Sequence, residues 1–430
     1  MMQLAELRTL NTFRNAYKVN KILIINQAWS NHGDEAAHKA LVRLLANRYP
    51  DAEICVLVHV APGLTEDSYT LFRPEELKHI RYHRINADPW NSRIIRYLWW
   101  IPPVLLDVMG PLLSKSLREV KHLLHSADLI VNAPGGVDLG PYRNWANVVR
   151  LILSLRSGRP TAIFGISFGP LPDETWKDRC FSRLAKSILK QVRFLSLRDD
   201  KSQNNAKTNR IDYVPTADTA FLDGTKSSIP SELMNFLEAS YAVFVPNALF
   251  KWHPHFQFVP KEKFEKLYKE IIALFLKNGL RVVMLPQLFG SQNDEAYFRE
   301  LSSSFSDSEI TVIPAQYECE VQQAIIRNAA MVVGARYHSV VFSMNNHTPF
   351  VALSYEHKIY NLLTMAGLED LAFNLNTLNN ASPEAVCSQI RSVLQNLEAI
   401  KARVATGYQV VFDLGQSASE KFFRLFPYDV

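Results

Sequence analysis

The chain has 430 residues, more than a single hydrophobic core usually organises, so two domains are expected. Its net charge of +5 is small and comes without a basic tail or a block of like charges, so no nucleic-acid partner is expected. The 4 cysteines stand far apart with no C-x-x-C pair, so neither a disulfide framework nor a zinc site is predicted, and a reducing compartment fits best.

The first residues, 1–21, lack the apolar stretch of a signal peptide, so we expect a cytoplasmic protein. The segment 94–113 is the most membrane-like. Its prolines and charged residues would break a spanning helix, however, and we interpret it as partly buried. The alternative is that Tyr97, Trp99 and Trp100 form an apolar surface that contacts the inner face of a membrane or a lipid-linked molecule.

Short β-branched runs alternate with amphipathic segments along the first half of the chain. Buried strands are predicted at 21–26, 53–58, 128–132, 161–166 and 194–197. Helical spacing of apolar residues occurs at 34–47, 117–125, 145–156 and 178–190. These repeated β-α units predict a parallel sheet in a first domain that covers residues 1–225.

A second α/β series begins near residue 241. Strands are predicted at 241–245, 281–285, 310–313, 331–335 and 350–353, with a helix at 261–278. The polar, proline-containing stretch 223–232 suits a linker, so the second domain is predicted to cover 226–430 and to face the first across a cleft. A last helix at 418–426 is predicted to pack back on the first domain.

The segment 336–339, Arg-Tyr-His-Ser, follows one predicted strand, and Lys358 follows the next. A guanidinium, an imidazole and an ammonium are thus delivered at strand ends, where open α/β sheets bind ligands and helix N-termini attract anions. This pattern predicts a site for phosphate or carboxylate. The alternative is that Arg336 pairs with an acid such as Glu356 and that His338 caps the following helix.

Arg198 ends a strand of the first domain as Arg336 does in the second. Two arginines on opposite walls could hold a phosphate and a carboxylate at once, each bidentate contact contributing about 1.5 to 3 kcal/mol when shielded from water. The alternative is that Arg198 pairs with Asp199 or Asp218.

A glycine turn at 31–36 follows the first strand and places two carboxylates at a helix start. Asp34 is either an N-cap worth about 1 kcal/mol or an acid or base at the cleft.

Gly135 and Gly136 follow another strand, where they would let a ligand approach the backbone, although any tight turn needs glycine equally. The chain has no G-x-G-x-x-G and no P-loop pattern, so dinucleotide binding and P-loop hydrolysis are not expected.

Together these segments resemble the polysaccharide pyruvyl transferase family, in the right order and over most of the chain. The matching motifs are Asn31–Ala36, Gly135-Gly136, Gly165–Pro170, Arg198-Asp199 with Ser202, Ala217-Asp218, Gly334–His338 and Ser354–Lys358. The resemblance implies two Rossmann-like domains similar to the B-type glycosyltransferase fold, with the acceptor side first and the donor side second. It also implies transfer of the pyruvyl group of phosphoenolpyruvate, without a cofactor, to sugar hydroxyls of a polysaccharide or its lipid-linked precursor, as a ketal.

The resemblance also assigns roles to individual residues. The positions that match donor binding are Arg198, Arg336, Tyr337, His338 and Lys358. The positions assigned to the acceptor are Asn31, Asp34, Gly135 and Gly136, with Asp34 matching a proposed acid/base. His338 either donates a proton or binds phosphate, and both roles stay open. The chain departs from the family pattern at two places on the acceptor side. Ala133 and Pro134 precede only two glycines where many relatives have a longer glycine run, and Ser167 stands where glycine is common.

Two other functions compete with this one. A glycosyltransferase of the same fold would bind a nucleotide sugar, with Glu356 as the candidate carboxylate for the ribose. A non-catalytic scaffold of an envelope-polymer assembly would use the aromatic surface near Trp99 instead. The acceptor sugar is not readable from the sequence, since Trp29, Trp145 and Trp252 could each be a stacking platform or core.

Overall fold

The computed structural model of the chain describes residues 18–29, 31–59, 70–77, 79–85, 115–136, 138–224, 226–290, 293–377 and 383–428. The apolar segment 94–113, with Tyr97, Trp99 and Trp100, lies outside these ranges, so its predicted membrane contact stays a prediction. Among the helices within them, none has the length and apolar character needed to cross a membrane.

The first sheet has seven parallel strands in the order β3-β2-β1-β4-β5-β6-β7. They are β1 (Lys21–Ile25), β2 (Glu53–His59), β3 (Arg81–Ile85), β4 (Leu129–Asn132), β5 (Thr161–Ile166), β6 (Phe194–Leu197) and β7 (Val214–Pro215). All five predicted strands are confirmed. The sequence did not indicate β3 and β7, because both are edge strands: β3 is rich in polar residues and β7 has only 2 residues.

The second sheet has six parallel strands in the order β10-β9-β8-β11-β12-β13. They are β8 (Tyr241–Val245), β9 (Arg281–Met284), β10 (Ile310–Val312), β11 (Val332–Gly334), β12 (Phe350–Ser354) and β13 (Ala372–Asn374). The central strands β8 and β12 are buried along their whole length, as expected for a parallel sheet covered on both faces.

Helices connect the strands of both sheets. In the first half they are α1 (His32–Arg48), α2 (Lys115–Ser126), α3 (Trp145–Arg156), α4 (Trp176–Gln191) and α5 (Asp200–Thr208). In the second half they are α6 (Ser231–Leu237), α7 (Leu249–Trp252), α8 (Lys261–Lys277), α9 (Glu295–Ser302), α10 (Cys319–Asn328), α11 (Tyr337–Asn345), α12 (His357–Ala366), α13 (Pro383–Gln395) and α14 (Leu397–Leu425). Helix α14 is much longer than the segment 418–426 that the sequence indicates.

Helix α14 contacts both halves of the molecule. Near its middle, Gly407 packs so closely on α12 that a Cβ there would lie 2.8 Å from the backbone oxygen of Ala366. Near its end, the ring of Phe422 packs on Phe164 and Phe194 of the first sheet, with centroids 5.5 and 5.2 Å away. The helix therefore passes from the second sheet to the first. The boundary between residues 225 and 226 stays a prediction.

The carboxyl ends of the strands in the two sheets face one another. The guanidinium of Arg198, just after β6, lies 5.5 Å from the ring centroid of Tyr337, just after β11. Beside this contact, α1 packs on α10, where the buried ammonium of Lys39 lies 2.7 Å from the carboxylates of both Glu318 and Glu320. Side chains that follow strands of either sheet are thereby gathered into one cleft.

Candidate active site

Asp34 lies in the first turn of α1, after the carboxyl end of β1. Asn31 is the N-cap: its side chain accepts a hydrogen bond from the Asp34 backbone N–H at 2.7 Å and donates one to the Asp34 carboxylate at 2.5 Å. The alternative in which Asp34 caps the helix is therefore wrong. Burial raises the pKa of Asp34, against the opposing effects of His338 and Arg198. A carboxyl group in this setting is suited to general acid/base chemistry.

Glu35, in the same turn, belongs to a separate buried cluster. Its carboxylate lies 2.7 Å from Nδ1 of His32 and 2.9 Å from the Lys39 ammonium, and it accepts a hydrogen bond from the backbone N–H of Cys319 at 3.0 Å. The same ammonium lies 2.7 Å from Glu320. Lys39 therefore balances the buried carboxylates, and the cluster joins α1 to α10.

Arg198 follows β6 and is almost fully buried. Its guanidinium donates to the carboxylate of Asp218 and, through Nε, to the hydroxyl of Ser167 at 3.1 Å. Of the two acids left open by the sequence, Asp218 is thus the partner, whereas Asp199 accepts hydrogen bonds at the start of α5. The face of the Tyr337 ring covers the same guanidinium.

Asp218 connects residues of both sheets. Its side chain is fully buried, pairs with Arg198, and accepts a hydrogen bond from the Ala220 backbone N–H at 3.0 Å. One carboxylate oxygen also lies 3.7 Å from Nε2 of His338, an ion-pair distance too long for a hydrogen bond. Burial alone would raise the pKa of Asp218, but Arg198 and then His338 hold it below its ordinary value. One carboxylate therefore lies close to two predicted donor ligands, one from each sheet.

Arg336 and His338 stand at the start of α11, where Arg336 is the N-cap residue and no side chain caps the helix. Arg336 does pair with an acid, as the alternative for this motif proposed, but the acid is Asp294 and not Glu356. His338 lies within the helix and does not cap it, so that part of the alternative is wrong. Two buried nitrogens, Nε of Arg336 and Nε2 of His338, have no hydrogen-bond partner among the described residues. Unsatisfied nitrogens of this kind are typical of a ligand site.

Lys358 lies half-buried in the first turn of α12. Its ammonium makes no hydrogen bond or ion pair with any residue in the described ranges. Burial lowers the pKa of Lys358 and the Arg198 guanidinium lowers it further, against the carboxylates of Glu356 and Asp34. Unlike the two arginines, Lys358 therefore has no carboxylate partner within the described part of the protein.

Gly135 and Gly136 form the turn after β4. The backbone oxygen of Gly135 accepts a hydrogen bond from Ser167 N–H at 3.2 Å. A Cβ on Gly135 would have no described atom within 4 Å, and one on Gly136 would lie 3.7 Å from the Tyr142 ring. Neither glycine has a positive φ. Backbone conformation and internal crowding therefore do not require glycine here, and the turn borders open space.

The structure thus brings together four residues that the sequence singled out, which interact electrostatically: Asp34, Arg198, His338 and Lys358. Arg336 stands two residues before His338 in the sequence, but its guanidinium is paired with Asp294. The double contact of Asp218 was not predicted from the sequence. The sequence named Asp218 only as one of two possible partners of Arg198 and as part of the Ala217-Asp218 motif, and neither signal indicated its approach to His338.

A model of the polysaccharide pyruvyl transferase family matches residues 31–357, well over half of the chain. The chain belongs to the polysaccharide pyruvyl transferase family. The matched region contains the site residues described above except Lys358, which lies one residue beyond its end. Membership gives the chain a transferase role in polysaccharide synthesis.

Among its relatives is the amylovoran biosynthesis protein AmsJ of Erwinia amylovora, 24% identical over 413 residues that cover 90% of this chain and 94% of AmsJ. Among solved structures, the UDP-GlcNAc 2-epimerase of Neisseria meningitidis superposes with a TM-score of 0.58 at 12% identity, covering 95% of this chain and 100% of the epimerase. A transferase of Siraitia grosvenorii in complex with UDP gives 0.57 at 12% identity, covering 94% of this chain and 99% of that protein. These similarities confirm for this pyruvyl transferase family member the predicted B-type fold of two Rossmann-like domains.

Proposed function

We propose that this protein transfers the pyruvyl group of phosphoenolpyruvate to a saccharide used in exopolysaccharide synthesis. The observation that carries the proposal is the grouping of Lys358, which has no ion-pair partner among the described residues, with Arg198, His338 and Asp34. Cations suit the phosphate and carboxylate of the donor, and a buried carboxyl group with a raised pKa suits proton transfer.

The donor has two anionic groups, and the site offers cations from both sheets. Lys358 supplies an ammonium, while Arg198 keeps donors beyond those used by Asp218 and Ser167. Arg336 has a buried Nε without a described partner, next to Tyr337 and His338. We assign phosphate and carboxylate binding to this group, since charge-assisted contacts in a water-poor cleft contribute about 1.5 to 3 kcal/mol each.

The reaction begins with protonation of the donor's methylene carbon, which leaves positive charge on the central carbon. We assign His338 one of two roles, supplying this proton or binding the phosphate. One acceptor hydroxyl adds to the central carbon and gives its proton to Asp34. A second hydroxyl of the same sugar then replaces the phosphate at that carbon, and its proton leaves with the phosphate. This step closes a cyclic ketal and releases inorganic phosphate. The balance requires no oxidant, reductant or cofactor.

The acceptor side is formed by Asn31, Asp34 and the turn at Gly135 and Gly136. AmsJ is a protein of amylovoran biosynthesis, and its similarity over most of both chains supports a saccharide acceptor for this protein too. We propose a sugar of a polymer repeat, free or lipid-linked, that presents two hydroxyls close enough to form one ring. We propose that the reaction takes place in the cytoplasm.

The test is transfer from phosphoenolpyruvate labelled with carbon-13 at its central carbon, using a panel of bacterial repeat-unit saccharides. The expected result is release of phosphate that depends on the saccharide, with the label in a saturated ketal carbon. A label that stays in an unsaturated carbon would indicate an enolpyruvyl product instead. Binding of UDP-sugars in preference to phosphoenolpyruvate would assign the protein to the glycosyltransferases and overturn the proposal.

A further inference from the structure

In the described part of the protein, the exposed aromatic side chains follow the carboxyl ends of strands in both sheets. Within the described ranges they are Tyr142, Trp176, Trp252, Phe258 and Tyr360. Each lies in a segment that follows the carboxyl end of a strand, namely β4, β5, β8 or β12. The carboxyl ends of parallel strands lie at the same edge of a sheet, which is also where ligands bind. Singly exposed rings are ordinary, so a position at this edge does not by itself mark a ligand site. Trp252 and Tyr142 are set apart because they lie against Tyr355 and the Gly136 turn, which belong to segments of the candidate site.

Trp252, at the end of α7, is held in place but open to solvent. Its indole N–H donates to the side-chain oxygen of Asn247 at 3.1 Å, and its ring packs edge-on against Tyr355 with centroids 5.9 Å apart. The side chain is nevertheless 48% exposed, whereas Trp29 is only 8% exposed and packs in the core. Trp252 is therefore an ordered ring with free surface.

Asn247 connects this ring to the site. Its side chain is fully buried and donates to the backbone oxygen of Ala335 at 3.3 Å, immediately before Arg336. The position of the Trp252 ring is thus fixed relative to the strand end that delivers Arg336 and His338. A molecule that lies on Trp252 would be held at a defined distance from the reacting groups.

Tyr142 presents a second ring from the first sheet. It is 65% exposed and lies over the turn at Gly136, whose Cβ would be 3.7 Å from the ring. Partial burial raises the pKa of the Tyr142 phenol, and the carboxylates of Glu356, Asp138 and Asp34 raise it further. Tyr142 thus places an exposed ring over the glycine turn that is assigned to the acceptor side.

Glu356 supplies a polar group near the Trp252 ring, which packs on the preceding residue, Tyr355. It is the N-cap residue of α12, but its side chain makes no capping hydrogen bond. Its one described polar contact is with His253, at 3.9 Å, beyond hydrogen-bonding distance. The carboxylate is therefore available to accept hydrogen bonds from hydroxyl groups, next to the Trp252 ring that neighbours His253.

We propose that Trp252 and Tyr142 form a subsite for the acceptor saccharide, in which a sugar ring packs on an aromatic face and its hydroxyls donate to Glu356. An apolar surface with few polar groups that fix orientation is typical of small-molecule sites, and the carbon-bound hydrogens of a sugar suit an aromatic face. The role of this saccharide as acceptor rests on the proposed function, whereas its binding at Trp252 does not.

The test uses an array of bacterial polysaccharide fragments, probed with the full chain in the presence of phosphoenolpyruvate. The variants are Trp252→Ala and Trp252→Phe, with Trp176→Ala as matched control, because Trp176 is 54% exposed on α4. The wild type is expected to bind a subset of glycans. Trp252→Ala should bind them about 3- to 10-fold more weakly and Trp252→Phe should lie between, while Trp176→Ala binds like the wild type.

Absence of glycan binding by the wild type, or equal binding by Trp252→Ala, would overturn the subsite. Melting curves identify any loss of fold in Trp252→Ala. If that variant is unfolded, Trp252→Phe, which keeps a ring, is compared with the wild type instead. Phosphoenolpyruvate binding is measured by calorimetry on the same variants. If the donor does not bind but glycan binding depends on Trp252, the proposed function fails and the subsite stands; the reverse pattern rejects the subsite alone.

Discussion

Gly33 lies directly against the imidazole of His338, so that a Cβ on Gly33 would be 1.7 Å from Nδ1 and 2.0 Å from Cγ. Gly33 is in the first turn of α1 and His338 in the first turn of α11, so the contact joins the two halves of the molecule. The glycine in the motif 31–36 is thus explained by space for the imidazole and not by backbone conformation, since its φ is not positive.

Gly33→Ala is expected to displace His338 and to lower kcat about 100-fold, because small displacements of a reacting group have effects of this size. Alanine favours helix over glycine, so the helix itself should not be weakened. The measurement is steady-state transfer, with Gly224→Ala as control because a Cβ there meets no described atom within 4 Å. Wild-type kcat in Gly33→Ala would show that the position of His338 does not matter.

Asp218→Asn is expected to lower stability by about 3 to 5 kcal/mol, because it leaves the buried guanidinium of Arg198 unbalanced. It should also lower kcat, because the carboxylate near His338 is lost. The double variant Arg198→Met with Asp218→Asn should regain much of the stability but none of the activity. Unfolding curves and transfer rates check this. Additive losses of stability in the double variant would contradict a coupled pair.

Lys358→Met is expected to weaken phosphoenolpyruvate binding about 10- to 100-fold, since one charge-assisted contact is lost. Burial and Arg198 lower the pKa of Lys358, so in the wild type the affinity should fall as the pH rises through that lowered pKa, below the ordinary range of lysine. In Lys358→Arg the side chain stays charged over this pH range, so its affinity for phosphoenolpyruvate should not fall as the pH rises. Calorimetry above about pH 7, where a phosphate monoester is mostly dianionic, tests it. Identical pH profiles for wild type and Lys358→Arg would contradict the assignment.

Glu35→Gln is expected to lower stability by about 3 to 5 kcal/mol near neutral pH, since it removes a partner of the buried Lys39. Burial alone would raise the pKa of Glu35, but Lys39 and His32 lower it to about 2. A lowered pKa stabilises the fold above the unfolded value, about 4.3, and the stabilisation is lost as the pH falls through the folded value.

The difference in unfolding free energy between wild type and Glu35→Gln should therefore shrink as the pH falls below about 4. Denaturant curves over a pH series measure it. Glu420→Gln is the control, because the Glu420 side chain is 67% exposed and its described ion pair, with Arg424 at 3.6 Å, lies at the surface. A difference that stays constant with pH would mean that the ionised form of Glu35 is not what the fold requires.

Local patterns were enough to predict most strands and the strand-end position of the basic residues. Apolar runs such as β5 are buried throughout, so their sequence is unambiguous. Long-range contacts were not predictable: Asp294, the partner of Arg336, is 42 residues away and carries no distinguishing neighbour. Helix α14 was predicted too short because it contains Gly407 and Gly415, which normally weaken helices. Only the close approach of Ala366 and Leu222 explains them.

Donor binding is the most direct measurement: calorimetric titration of phosphoenolpyruvate into the wild type and Lys358→Met, with UDP-N-acetylglucosamine and inorganic phosphate as parallel ligands. Saturable binding of phosphoenolpyruvate, tighter than that of phosphate and weakened in the variant, is the predicted result. Tighter binding of the UDP-sugar, or equal binding of phosphoenolpyruvate by both proteins, would contradict a pyruvyl donor site built on Lys358.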